Sequence, residues 1–206
     1  MYSIKTNIKN FLIRNNIISE IIFKRIQKHW IRVVCDEATE RLIRKINPEL
    51  LEVLEISGNR WEKLFQYKNY NNLFYPDFDI QNVDNYIKSY DLIILEHVLE
   101  HVTEPCRTIQ NVFKLLNPSG YILITTPFLV KIHNAPQDCT RWTPIGLRNL
   151  LINEGFDKNN MVTGQWGNKS CIKANFKHWV KYNPLFHSLK NEEMFPAVVW
   201  CLARKS

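Results

Sequence analysis

Short apolar runs alternate with helix-like segments from about residue 48 onward, and this alternation most restricts the folds open to the chain. The strand candidates, of which the last is the weakest, are residues 50–57, 71–75, 90–95, 120–128, 195–205 and 160–166. Helical candidates lie at 96–102, 104–116 and 143–155, and Thr143 and Pro144 suit the start of the third. The alternation predicts an α/β fold with a Rossmann-like, mostly parallel sheet and helices on both faces.

The N-terminal segment differs from the rest of the chain in charge. Residues 1–34 contain seven Lys and Arg side chains and one acid, so they hold nearly all of the chain's net charge of +7. We therefore predict two regions, a basic amphipathic helical arm at residues 1–47 and an α/β domain at residues 48–206.

One face of the predicted arm is apolar. Ile18, Ile22, Ile26 and Trp30 recur at intervals of four residues, as they would along one side of a helix. We expect this face to pack on the α/β domain, and peripheral contact with an anionic membrane or with a partner protein is the alternative. Nucleic acid is not an expected partner because the remaining residues are nearly neutral in net charge. The oligomeric state is left open.

The cysteines and apolar runs bear on the compartment. The five cysteines are scattered without a C-x-x-C pair, which favours neither a disulfide framework nor a zinc ribbon. The N-terminus lacks the pattern of a signal peptide, and no apolar run approaches the ~20 residues of a membrane span. A cytoplasmic protein is expected.

His97-Val98-Leu99-Glu100-His101 has the H-x-x-E-H spacing of one class of zinc peptidases. The buried strand before it places Glu96 and His97 at the edge of the sheet where α/β proteins bind ligands, so the segment looks like the start of a crossover helix facing a pocket. No third ligand is indicated by the sequence. We therefore expect no metal here, and we predict that His101 is structural.

Residues 90–128 resemble the fourth strand, following helix and fifth strand of class I S-adenosylmethionine-dependent methyltransferases. The likeness rests on an apolar strand with Asp91 near its start, a Leu-Glu-His-Val segment and the turn Asn117-Pro-Ser-Gly120 before the next strand. Residues 133–156 are similar to the stretch after the fifth strand in a subset associated with sugar and surface-polysaccharide modification. The resemblance covers about residues 48–156.

This resemblance implies an enzyme with S-adenosylmethionine as cofactor. It would transfer a methyl group to a small or glycan-linked acceptor, with a hydroxyl of a sugar or sugar phosphate as the expected target. The alternative is a non-catalytic binding or scaffold protein of the same fold. That alternative arises because the family's G-x-G-x-G loop corresponds here to residues 57–61, Ser-Gly-Asn-Arg-Trp, with one glycine and with Trp61 where the family leaves space.

The resemblance also implies a set of cofactor-binding residues. Glu55 would either contact the amino group of the methionine moiety or brace the following loop. Either Asp77 or Asp79 would bind the ribose hydroxyls. The remaining members of the implied set lie in the loop or at the sheet edge: Ser57, Gly58, Glu96 and His97.

Residues 131–144 are the candidate acceptor-binding loop. We predict His133 as general base, Asp138 as the residue that orients it or acts itself, and Arg141 as a clamp for a phosphate or carboxylate. A structural ion pair between Asp138 and Arg141 is the alternative, and His97 is a rival base. Trp142 is a candidate for stacking on a sugar face, and residues 165–170 and 176–179 are candidates for the pocket lining.

Overall fold

Six strands form one sheet in residues 18–206, the part of the chain that the computed structural model describes. The strands are β1 (Glu52–Ile56), β2 (Asn69–Leu73), β3 (Tyr90–Glu96), β4 (Leu116–Pro127), β5 (Met161–Trp166) and β6 (Val198–Arg204). Their order is β2-β1-β3-β4-β6-β5. The first four strands pair in parallel, whereas β6 is antiparallel to both β4 and β5. The predicted mostly parallel, Rossmann-like sheet is confirmed.

The helices are α1 (residues 18–26 of the described range), α2 (Val33–Arg44), α3 (Pro105–Leu115), α4 (Pro144–Asn153) and α5 (Lys169–Ala174). Helix α4 begins as its sequence predicts, because the Thr143 hydroxyl accepts a hydrogen bond from Gly146 N at 3.0 Å. Pro144 occupies its first position. The α/β alternation in the sequence therefore corresponds to observed elements, and a side-chain cap sets the start of α4.

The two faces of the sheet are covered by different elements. On one face, α3 and α4 pack against side chains such as Ile93 and Ile124. On the other, Ile43 of α2 packs with Leu92 and Leu123. Because β3 and β4 are buried on both faces, they appear in the sequence as continuous apolar runs.

The connection from β1 to β2 is short. Within the described residues 57–68 the only regular element is a single 3-10 turn, Trp61–Lys63. Trp61 is fully buried and packs with Ile43 and Val53, so its ring covers the part of the sheet that a helix would otherwise shield. The loop after β1 therefore does not follow the path of a glycine-rich turn that leads into a helix.

The predicted N-terminal arm falls partly outside the described residues, which begin at Ile18. Trp30 is buried and Ile26 packs beside it, and both belong to a cluster that includes Trp166 and Trp200. Ile18 and Ile22 of α1, in contrast, are 46% and 40% exposed. The apolar face thus packs on the sheet only at its C-terminal end. Between residues 18 and 206, every helix is too short or too polar to cross a bilayer.

A cluster of charges joins the N-terminal helices to the loop after β1. The buried carboxylate of Asp36 lies 3.0 Å from Lys28 Nζ, 2.9 Å from Arg32 Nε and 3.5 Å from Arg60 Nη2. Burial alone would raise the pKa of Asp36, but the three cations outweigh burial and lower it.

This lowered pKa predicts how stability depends on pH. A carboxylate with a lower pKa in the folded protein stabilises it above the unfolded value near 4, and this contribution is lost as the pH falls. We expect the unfolding free energy to decline below about pH 4, with Asp36 contributing at most about 1.4 kcal/mol per pH unit. Urea unfolding of wild type and Asp36→Asn between pH 3 and 6 measures this, and equal pH slopes in the two proteins would contradict it.

Candidate active site

Two clefts open at the carboxyl ends of the strands. The large cleft has a volume of about 660 Å³ and is lined by Ser57, by residues of the 75–81 and 97–103 segments, and by residues 135–137. The small cleft has a volume of about 310 Å³, and its lining is His29, Ile31, Arg32, His97, Pro127, His133 and Trp179. His97 lines both clefts, so its side chain lies in the wall between them.

The loop after β1 is held by Glu55. This side chain is 1% exposed, and its carboxylate accepts hydrogen bonds from Arg60 N (3.2 Å), Trp61 N (3.0 Å) and the Tyr70 hydroxyl. A methyl group at Gly58 would lie only 2.1 Å from Glu55 Oε1, so the loop can pass this close to the Glu55 side chain only because residue 58 is glycine. Of the two roles expected for Glu55, its geometry matches that of a brace for the loop.

Ser57 stands where the family has its first loop glycine. Its backbone is left-handed, with φ of 57°, and its amide donates to Leu73 O of β2 at 2.7 Å. Ser57 lines the large cleft. A serine therefore supplies the turn at the edge of the large cleft that glycine usually supplies.

Glu96 is occupied by three donors and lines neither cleft. Its carboxylate accepts from Trp61 Nε1 at 2.6 Å, from Arg60 Nη1 at 3.0 Å and from the Arg32 guanidinium. It therefore ties the end of β3 to the loop and to the N-terminal segment. These contacts give Glu96 a bracing role, and its contact with the cofactor stays a prediction.

The two candidate ribose ligands differ in position. Asp79 lines the large cleft and is half-buried, and its carboxylate accepts from Gln81 N at 2.9 Å. Asp77 is exposed and lies outside both clefts. Gln81, a cleft residue that sequence reasoning missed, accepts from Thr103 N and so links this segment to the one after β3.

The half-buried His97 and the buried Glu100 form a pair at the shared wall. His97 is left-handed, with φ of 55°, and its Nδ1 lies 3.1 Å from Glu100 Oε1. Burial is the main cause that lowers the pKa of His97. Burial would raise the pKa of Glu100, but the bond from His97 and the neighbouring charges outweigh burial and lower it. Among the described residues, His97 Nε2 is buried and has no hydrogen-bond partner.

The acceptor loop brings His133 to the small cleft but not its predicted helpers. Asp138 accepts from the backbone N of His133 at 2.8 Å and forms a two-pronged ion pair with Arg141, so the structural alternative applies to both. These contacts anchor the loop, and the roles of Asp138 as orienter of the imidazole and of Arg141 as clamp stay predictions. Trp142 also lines neither cleft, because it packs against the core while its Nε1 donates to Thr140 Oγ1.

The small cleft gains one aromatic side chain from the predicted 176–179 segment. Trp179 is 36% exposed, and its ring centroid lies 5.9 Å from that of His133. Trp166, from the other aromatic segment, is buried in the core instead. His29 is a lining residue that the sequence did not indicate, since it follows the N-terminal helix and no motif surrounds it.

The sequence profile described as a methyltransferase domain matches residues 27–156, which is more than half of the chain. The chain belongs to this methyltransferase family. No curated protein sequence matches it significantly.

Several solved structures have a fold similar to that of this methyltransferase. It is similar to an S-adenosylmethionine-dependent methyltransferase from Thermotoga maritima, a possible histamine N-methyltransferase, with 13% identity, TM-score 0.52, and 82% and 88% of the two chains covered. A methyltransferase from Mesorhizobium loti shares 16% identity over 80% of this chain and 96% of its own, with TM-score 0.52. The N-methyltransferase NodS from Bradyrhizobium japonicum, solved with S-adenosylhomocysteine, shares 15% identity over 82% and 86%, with TM-score 0.50.

S-adenosylmethionine is the cofactor that membership of the methyltransferase family implies, and the large cleft suits it. The cleft lies at the carboxyl edge of a parallel sheet, the usual ligand position in such folds. It is also lined by Ser57, where the backbone turns in the left-handed conformation, and by the carboxylate of Asp79. These are the residues that would hold the cofactor.

Proposed function

We propose that this methyltransferase transfers a methyl group from S-adenosylmethionine to a hydroxyl of a sugar or sugar phosphate, free or linked to a glycan. The large cleft would hold the donor and the small cleft the acceptor. The observation that carries the proposal is His97, which lies in the wall between the two clefts and whose buried Nε2 has no hydrogen-bond partner within residues 18–206.

His97 is suited to take the proton of the acceptor. Because Glu100 is a carboxylate, the bond between them favours a proton on His97 Nδ1, which leaves a lone pair on Nε2. When bound, the cofactor supplies an electrophilic methyl group on a positively charged sulfur. Nε2 would accept the hydroxyl proton of the acceptor, and Glu100 would act as a positioning residue that orients the imidazole and stabilises its charged form.

The lining of the small cleft supports a carbohydrate acceptor. The ring of Trp179 offers an apolar face of the kind that packs against sugar rings, with the histidine side chains nearby as polar partners. Lys131 does not line the cleft, but its Nζ lies 5.3 Å from the centre of that ring, where it donates to Lys177 O at 2.8 Å, and its positive charge would favour an acceptor phosphate. The resemblance of residues 133–156 to the subset associated with sugar and surface-polysaccharide modification also favours a carbohydrate acceptor.

Calorimetric titration with S-adenosylhomocysteine tests the donor site. We expect a Kd from micromolar to tens of micromolar, about −8 to −6 kcal/mol. Asp79→Ala should weaken binding about tenfold or more, because it removes a carboxylate from the cleft at a cost of at least about 1.4 kcal/mol. Asp77→Ala is the matched control, since Asp77 is exposed outside the cleft, and it should bind like wild type.

The result against the proposal is equally clear. If wild type does not bind the ligand at millimolar concentration, the non-catalytic scaffold of the same fold replaces the enzyme. If it binds, transfer of labelled methyl to sugars, sugar phosphates and polysaccharide, compared with small amines, tests the acceptor class. Labelling of amines alone would exclude the hydroxyl acceptor.

A further inference from the structure

We propose that Glu100, His101 and His133 form a binding site for a divalent transition metal, with Zn²⁺ as the best-suited ion. One ligand atom from each of the three side chains lies within 4.8 Å of the other two. In a tetrahedral zinc site such atoms are about 3.3 Å apart, so small side-chain rotations would close the set around an ion. Two imidazoles and one carboxylate are ligands that zinc accepts, and they leave a position open.

His101 is already fixed in the form that a metal ligand needs. Its Nδ1 faces the carbonyl oxygen of Gln137, which can only accept, so the proton lies on Nδ1. Nε2 is then the free ligand atom, and it lies 3.8 Å from Glu100 Oε1. A backbone carbonyl that fixes the tautomer of a histidine is the usual outer partner of a metal-bound imidazole.

Glu100 is a buried carboxylate without a permanent positive partner. It is 0% exposed, and between residues 18 and 206 its ion-pair partners are the histidines His97 and His101, with no lysine or arginine in range. Its other oxygen receives only a long bond of 3.4 Å from Thr126 Oγ1. Burying an ionised carboxylate is costly unless a cation compensates it, and a divalent ion would do so.

His133 is held in place by the ion pair that sequence reasoning had assigned to catalysis. Asp138 fixes the backbone N–H of His133 and is itself fixed by Arg141. The His133 ring lies edge-on to His101, with centroids 5.1 Å apart. The loop anchor thus presents the third ligand, which gives a role to a charged pair whose own side chains line neither cleft.

The position of the site suggests its use. His101 lines the large cleft and His133 the small one, so a metal between them would reach an acceptor hydroxyl beside His97. A bound metal polarises such a hydroxyl and stabilises the alkoxide that forms when its proton moves to His97. This role rests on the proposed function, whereas metal binding itself does not.

Titration of the EDTA-dialysed full-length protein with Zn²⁺, and separately with Mn²⁺, tests the site. We expect one Zn²⁺ per chain with a Kd of micromolar or tighter. His133→Ala and His101→Ala should each weaken it at least 10- to 100-fold, because a direct ligand matters at least as much as the outer partners, whose loss costs about that factor. His178→Ala is the control, since His178 is exposed outside the cluster, and it should bind like wild type.

Two results would overturn the site: no stoichiometric binding of either metal, or binding that both His133→Ala and His101→Ala leave unchanged. The cobalt(II) form adds a readout independent of activity, because a three-ligand tetrahedral site gives intense visible absorption that both variants should lose. S-adenosylhomocysteine titration of the same samples separates the proposals. Cofactor binding without metal binding overturns this site alone, whereas metal binding without cofactor binding overturns only the proposed function.

Discussion

Replacing Glu55 with alanine is expected to lower the free energy of unfolding by about 3–5 kcal/mol. The change leaves Arg60 N, Trp61 N and the Tyr70 hydroxyl without their acceptor, and each buried unsatisfied group costs about 1–3 kcal/mol. Water entering the space would recover part of the sum. Because the same bonds shape the loop beside the large cleft, binding of S-adenosylhomocysteine should also weaken.

Glu52→Ala is the matched control for this experiment. Glu52 lies on the same strand, but its ion pair is with Lys68, whose side chain is 61% exposed, and such pairs contribute about 0–1 kcal/mol. Urea unfolding of the two variants and wild type measures the difference. Values for the two variants within 1 kcal/mol of each other would show that Glu55 does not hold the loop.

The central strands of the sheet could be predicted from the sequence because they are buried on both faces. Continuous apolar runs at β3 and β4 mark them without help from tertiary context. Strand β2, with the sequence Asn-Tyr-Asn-Asn-Leu, lies at the sheet edge, and it was predicted two residues too late. Residues 69–73 form a strand because they pair with β1, and their own composition does not favour one.

The segment after β3 shows why a helix prediction can fail. Residues 99–101 form only a 3-10 turn, because their carbonyls are used by the acceptor loop instead of by a helix. Leu99 O accepts from the Thr140 hydroxyl, Glu100 O from Cys139 N, and His101 O from the Gln137 side chain. Local propensity cannot reveal such long-range bonds.

The candidate site was predictable in its location but not in its roles. The sheet edge after β1, β2 and β3 follows from the strand pattern, and Ser57, Asp79 and His97 line the large cleft there. A carboxylate in the sequence, however, looks the same whether it faces a ligand or a backbone amide. The sequence therefore leaves Glu55 open between the cofactor and the loop and places Glu96 with the cofactor, whereas both carboxylates accept hydrogen bonds from the loop.

The metal ligands illustrate the same limit. His97-x-x-Glu100-His101 suggested zinc only if its residues lay on one helix, and the third ligand was missing. His133 comes from the loop after β4, and the fold alone brings it beside His101. A spacing rule that assumes one helix cannot find a set built from a turn and a distant loop.

Replacing His97 with asparagine is expected to lower kcat by about 100- to 10,000-fold, the usual contribution of a general base. Asparagine is the sharpest choice because it tolerates the left-handed backbone at this position, so the turn should persist while the proton acceptor is lost. The Kd for S-adenosylhomocysteine should stay within about threefold of wild type, a change of less than about 1 kcal/mol, since only the reacting proton is affected.

The same variant also separates the base from the metal site. His97 Nε2 is outside the set formed by Glu100, His101 and His133, so His97→Asn should still bind one Zn²⁺, whereas His133→Ala should lose both metal and activity. Single-turnover methyl transfer at saturating cofactor measures the loss directly. A rate within fivefold of wild type would show that His97 is not the base, and its bond to Glu100 would then serve only to position the carboxylate.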